Sequence, residues 1–171
     1  MANKIVYVPA ETGQAYWGPG DRYTFLVTGD ESGGSYFSME ALVPAGGGPP
    51  PHIHHREEEQ FYVLGGEVTL RAGDQTIHAV AGDFVHIPRG TVHAFRNEGK
   101  MPARLLVTYS PAGIEKLFQR VFEPARDRTT SPPPPTPESL ARFRALEAEY
   151  GLETLNPPEA GGSAVDMQVN M

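Results

Sequence analysis

The chain has 171 residues, enough for one well-buried core with short extensions, and its 19 glycines and 17 prolines favour short strands and many turns over a helical fold. It has no cysteine, which excludes disulfides and thiolate metal sites and leaves nitrogen and oxygen as ligand atoms. A net charge of -7 with no compensating basic stripe would repel phosphate backbones, so nucleic acid is not an expected partner. No run approaches the roughly 20 apolar residues of a membrane span. The amino-terminal MANKIVYVPAETG breaks its apolar stretch at Pro9, too short for a secretory signal, and cytoplasm is the expected location.

In chain order, KIVYV (Lys4–Val8) reads as an edge strand, followed by a loop through Gly18-Pro19-Gly20. Tyr23–Val27 and Gly34–Val43 are two further strands, the second alternating Tyr36, Ser38 and Glu40 against Phe37, Met39 and Ala41. A meander of short strands runs from Gly46 to about Ser110, with reversals at Gly65-Gly66, Gly73-Asp74, Ala81-Gly82-Asp83 and Pro88-Arg89-Gly90. After Pro111 the period changes. Ile114, Leu117, Phe118, Val121 and Phe122 recur at helical steps, an amphipathic helix expected to pack on the barrel rather than to act as a lid.

EPARDRTTSPPPPTP is a semi-rigid connector. Thr136-Pro137 then opens a second helix with Leu140, Phe143, Leu146 and Tyr150 on one face and Gly151 at its end. That face can cover its own barrel or a neighbouring subunit. The tail EAGGSAVDMQVNM has little to bury. The expected organisation is an N-terminal strand and loop over 1–22, a barrel over 23–112, a packing helix over 113–123, a proline-rich linker over 124–137, and a helix and tail over 138–171.

The chemistry lies in GGGPPPHIHHREEEQFYVLGGE and GDFVHIPRGTVHAFRN. Residues two apart on a strand share a face, so His52 and His54 can chelate one ion. Glu59 follows at an odd separation, so the chain must bend through His55, Arg56 and Glu57 to return its carboxylate. TVHAFRN carries His93, Phe95 and Asn97 on one face, and the strand meander can bring His93 to the first three. His52, His54, Glu59 and His93 are therefore the candidate ligands of one divalent ion: Fe, Mn, Ni, Cu, Co or Zn suits imidazole with one carboxylate. Because the imidazoles must be deprotonated to bind, metal affinity is expected to fall below about pH 6.5.

At these residues the sequence resembles the cupin superfamily. Gly46, His52, His54, Glu59 and Gly66 meet its first motif, and Gly82, Pro88, Gly90, His93 and Asn97 its second. Glu58 with Gly65 meets a shorter form of the first motif. The family usually follows this glycine with an acidic residue, and Glu67 follows Gly66, which favours Glu59. The resemblance implies an all-β fold, the double-stranded β-helix or jelly-roll barrel, with the C-terminal helices packed outside. It also implies a homodimer, for which KIVYV would offer a strand to exchange.

A weaker likeness, in Pro111–Phe118 and Tyr150–Glu153, is to single-barrel relatives of bacterial quercetin-type dioxygenases. By that resemblance the chain is expected to be a metal-dependent dioxygenase acting on an enol or phenol of the flavonol kind with O2. Glu59 would be both ligand and catalytic base, and Phe61 and Phe95 candidates for an apolar pocket wall, although barrel core explains both phenylalanines as well. The alternatives are an isomerase, lyase or hydrolase centre, or a small-molecule-binding module with a structural metal. His55, His78 and His86 are expected on the surface or in packing, Arg89 in solvent, and Asn97 fixing a strand end.

Overall fold

The computed structural model describes residues 5–155. Their strands form two antiparallel sheets. One is built from β1 (Ala15–Trp17), β2 (Arg22–Val27), β3 (Phe37–Val43), β5 (Glu58–Gly65), β8 (Phe84–Ile87), β10 (Ala103–Ser110) and β11 (Glu123–Pro124), in the order β11-β1-β2-β3-β10-β5-β8. The other holds β4 (His52–His54), β6 (Glu67–Ala72), β7 (Gln75–Val80), β9 (His93–Arg96) and β12 (Leu152–Thr154), in the order β12-β4-β9-β6-β7. This is the all-β barrel expected from the sequence.

Alternation along the strands makes the core. Phe37, Met39, Ala41 and Val43 of β3, Phe61 and Val63 of β5, and Leu105, Val107 and Tyr109 of β10 are buried with Val68, Leu70 and Phe95 of the other sheet. The sheets meet where the rings of Phe61 and Phe95 pack edge to face, with centroids 5.5 Å apart. Asn97 ties off β9: its side-chain amide donates to the carbonyls of Val43 and Met101, each at 2.9 Å, and its oxygen accepts from Gly99 N.

Two glycines need their freedom. Gly48 has φ +124°, and a Cβ there would lie 2.1 Å from the Phe95 carbonyl oxygen, so the loop entering β4 can press against β9 only without a side chain. Gly66 has φ +74° and lies on Ala103, whereas Gly65 has open space and no positive φ.

The short α1 (Gly29–Ser32) joins β2 to β3. The first amphipathic helix, α2 (Glu115–Val121), buries Leu117, Phe118 and Val121 against the barrel, with Ile114 and Phe122 at its ends. The second, α3 (Pro137–Glu147), starts at Thr136, whose hydroxyl accepts from Ser139 N, and buries no residue fully. Phe143, Leu146 and Tyr150 rest partly buried on the chain's own core. No helix among the described residues is long and apolar enough to cross a membrane.

One element differs from the sequence expectation. Ile5–Val8 of KIVYV form no strand, and Lys4 lies outside the described residues. Ile5 and Tyr7 are 89 % and 83 % exposed. The physical reason is that β11 already occupies the free edge of β1, through Tyr16 opposite Pro124 and Trp17 opposite Glu123. The tail 159–171 lies outside the described residues.

Candidate metal centre and its cavity

The chain brings His52, His54, Glu59 and His93 together from both sheets. His52 and His54 lie on β4, with His52 directly opposite His93 on β9. The bend at 55–57 then carries the chain into the other sheet, where Glu59 points inward with Phe61 and Val63. All four side chains are buried, and one donor atom from each lies within 4.8 Å of the others. Glu59 Oε2 is 2.7 Å from His93 Nε2 and 3.6 Å from His54 Nε2. Donors each about 2.0–2.2 Å from a single ion lie at most about 4.4 Å apart, so the group fits one ion with small adjustments. Glu58 is half-buried and Gly65 unconstrained, so Glu59 with Gly66 is the pair that meets the motif in space.

The outer nitrogens support the same orientation. The Nδ1 atoms of His52 and His93 each lie 2.9 Å from a carbonyl, of Pro50 and Thr91 respectively. A carbonyl only accepts, so each Nδ1 carries a proton and the neutral ring turns its Nε2 lone pair inward. His54 Nδ1 faces Glu57 Oε2 at 3.7 Å, and neither atom has another partner. In the sequence Glu57 reads as a residue of the bend; folded, it is buried behind His54.

Protons are unevenly held. Burial works against the Glu59 carboxylate, but the His93 hydrogen bond and the charges of His54, His93 and His52 prevail and hold its pKa at about 2. Burial also opposes a charge on His93, yet the hydrogen bond and charge of Glu59 and the Thr91 carbonyl raise its pKa. Burial, then the neighbouring His93, pushes His52 down to about 4. Without an ion, and below its raised pKa, His93 forms a buried ion pair with Glu59. Beside it, burial and the Glu59 charge keep the Tyr109 hydroxyl protonated.

His52, His54 and Glu59 open onto a cavity of about 380 Å³, within the roughly 300–1,000 Å³ of small-molecule sites. Its walls are aromatic. Phe118 and Phe122 stack at 4.8 Å, Tyr23 stacks on Phe122 at 5.2 Å, and Phe143 of α3 continues the series at 6.1 Å, all within 14° of parallel. Phe95 lines the cavity, but Phe61 does not; it is buried in the barrel core, edge to face with Phe95. His55, His78, His86 and Arg89 are exposed and outside the site. The sequence reading missed Asp21, Tyr23 and Tyr109, which carry no local motif, and gave Phe118 and Phe122 packing duty alone, though they also line the cavity.

Residues 39–109 match the cupin domain family. Over 146 residues the chain is 29 % identical to quercetin 2,3-dioxygenase of Bacillus subtilis (strain 168), an alignment covering 80 % of this chain and 41 % of that protein. The chain therefore spans well under half the length of that relative. Among solved structures it resembles a predicted oxalate decarboxylase from Thermotoga maritima, with TM-score 0.56, 18 % identity, and 63 % of this chain and 99 % of that one covered. An RmlC-like cupin from Shewanella frigidimarina gives TM-score 0.55 at 18 % identity, covering 66 % and 96 %. At these identities the two structures establish the fold alone.

Proposed function

Because residues 39–109 are a cupin domain, we propose that the chain is a metal-dependent dioxygenase that cleaves a planar enol or phenol of the flavonol kind. The observation that carries this is the meeting of His52, His54, Glu59 and His93 at an aromatic-walled cavity. The similarity to quercetin 2,3-dioxygenase supports the choice of reaction. A divalent ion held by those four residues, whether Fe, Mn, Ni, Cu, Co or Zn, would supply a Lewis acid for the substrate's hydroxyl oxygen. In the overall reaction dioxygen is the oxidant, and both its atoms enter the cleaved products.

The chain's own residues supply the rest. The near-parallel rings of Tyr23, Phe118, Phe122 and Phe143 offer flat faces on which an aromatic substrate can stack and exclude water. Glu59 is the buried carboxylate placed to take the proton that a substrate hydroxyl releases. An ion held by His93 Nε2 would displace the proton that this ring otherwise holds against Glu59 at 2.7 Å. Tyr109, opposite Glu59 in the strand register, stays protonated and can donate to an oxygen at the same place.

The test is metal content of the chain purified without added metals, beside His52→Ala and His93→Ala, followed by oxygen uptake with flavonols. The expected result is about one equivalent of metal in the parent, none in either variant, and oxygen consumption only by the loaded parent. A chain that cannot be loaded removes the metal reading. A loaded chain that binds flavonols without consuming oxygen would be a binding module.

A further inference from the structure

Beyond the four-donor group, the cavity is lined by one other carboxyl, that of Asp21. It stands just before β2, in a turn closed by Gly18 N donating to its own carbonyl, and is 2 % exposed. Its Oδ2 accepts from the Tyr23 hydroxyl at 3.1 Å, whereas its Oδ1 is buried with no hydrogen-bond partner. Gly47 presses on that carboxyl so closely that a Cβ there would sit 2.7 Å from Oδ1, which fixes the group against backbone. A buried polar atom left unpaired is costly, and among the described residues nothing hydrogen-bonds to this one.

Tyr23 links the acid to the rest of the cavity. Its ring stacks on Phe122 and Phe118, and its hydroxyl feels the charge of Glu59 as well as that of Asp21. Asp21 and Tyr23 line the same cavity as His52, His54 and Glu59, so one ligand filling it meets both groups. Burial pushes the Asp21 carboxyl up to about 7, against the pull of the Tyr23 hydrogen bond, so near neutrality it can either donate or accept. A hydroxyl group, which does both, satisfies it in either state.

We propose that Asp21 and Tyr23 form a second recognition point that binds a hydroxyl of the substrate other than the one at His52, His54, Glu59 and His93. This rests on the cavity being the substrate site, and it narrows the substrate class to planar aromatics bearing at least two hydroxyls. Asp21 and Tyr23 are positioning residues here. They orient the ring system so that its reacting hydroxyl lies at the four-donor group.

The experiment is equilibrium binding without dioxygen, so that no turnover intervenes. The probes are quercetin, hydroxylated on both ring systems, and 3-hydroxyflavone, which has one hydroxyl. The parent chain is expected to prefer quercetin by about tenfold, the size of one well-made hydrogen bond in a buried site. Asp21→Leu should bring the ratio close to one by weakening quercetin alone, with the retained 3-hydroxyflavone affinity showing that the cavity is intact. Asp21→Asn should keep part of the preference, and Tyr23→Phe should lose part of it.

No preference in the parent, no binding of either probe, or an unchanged ratio in Asp21→Leu overturns the proposal. Oxygen uptake is read separately. A preference without uptake keeps the recognition point and removes the dioxygenase reading; uptake with both probes and no preference removes the recognition point alone.

Discussion

His93 and His52 hold protons so differently that they set different limits on metal binding. Because Glu59 raises the His93 pKa above its ordinary 6.5, His93 is protonated before His52 as pH falls. His52, pushed down to about 4, competes with an ion only in stronger acid. An ion must displace the His93 proton, so affinity for cobalt or zinc should begin to fall at a pH above 6.5, by about tenfold per pH unit for one proton released. Equilibrium dialysis from pH 8 to pH 5 measures this, and a flat profile contradicts the ligand set. Asp21 gives the opposite kind of pH dependence, in folding. Its folded pKa of about 7 lies above its ordinary value of 3.8, so the folded state holds the proton more tightly. That contribution is complete below about pH 4 and is lost as pH rises through about 7, on the order of 1.4 kcal/mol for each tenfold difference in proton affinity. Asp21→Asn cannot ionise, so its stability relative to the parent should rise between pH 5 and pH 8 in urea titrations. A constant difference across that range would show that Asp21 is not held protonated by burial.

The C-terminal elements bear on the site more than their own packing requires. Leaving α3, the chain turns at Gly151 and runs back as β12 along β4, with Leu152 opposite His54 and Thr154 opposite His52. The helix also contributes Leu140 and Phe143 to the cavity while burying no residue fully, so its local stability depends on its ends. Thr136 accepts from Ser139 N and Ser139 Oγ accepts from Thr136 N, a reciprocal cap. Thr136→Ala should cost about 1 kcal/mol of local stability and speed hydrogen exchange over Pro137–Glu147, while β5 and β10 keep their protection. Equal acceleration everywhere would mean that α3 opens only when the barrel unfolds. The same elements show what a sequence can carry. The spacing of His52 and His54, the Pro88-Arg89-Gly90 turn and the glycine at Gly66 are local, and each chemical constraint falls on a residue type that shows it. β12 has three residues and β11 two, too few for any period, and both exist only because an edge strand elsewhere accepts them. KIVYV has strand composition, but β11 already holds the edge of β1. Asp21 and Tyr23 are two residues apart, but only the sheet order β2-β3-β10 brings them to one cavity with Tyr109, and no spacing in the sequence shows that.

For the whole molecule, the position of the four donors couples metal binding to the barrel itself. His52, His54 and His93 come from the five-stranded sheet, and Glu59 alone comes from the seven-stranded sheet. An ion held by all four would join the two sheets across the core, and the unfolded chain, with its donors dispersed, would offer no comparable site. At a hundred times its dissociation constant such an ion stabilises the fold by about 2.7 kcal/mol, which in a domain of this size raises Tm by roughly 5–10 °C. Thermal scans with increasing zinc or cobalt should show that rise and its reversal by chelator. Glu59→Gln keeps the volume of the side chain and leaves three histidines on one sheet, so its shift at equal metal should be less than half. If Glu59→Gln shifts as far as the parent, the ion is held by the histidines alone, and the carboxylate is free for proton transfer without first leaving a metal.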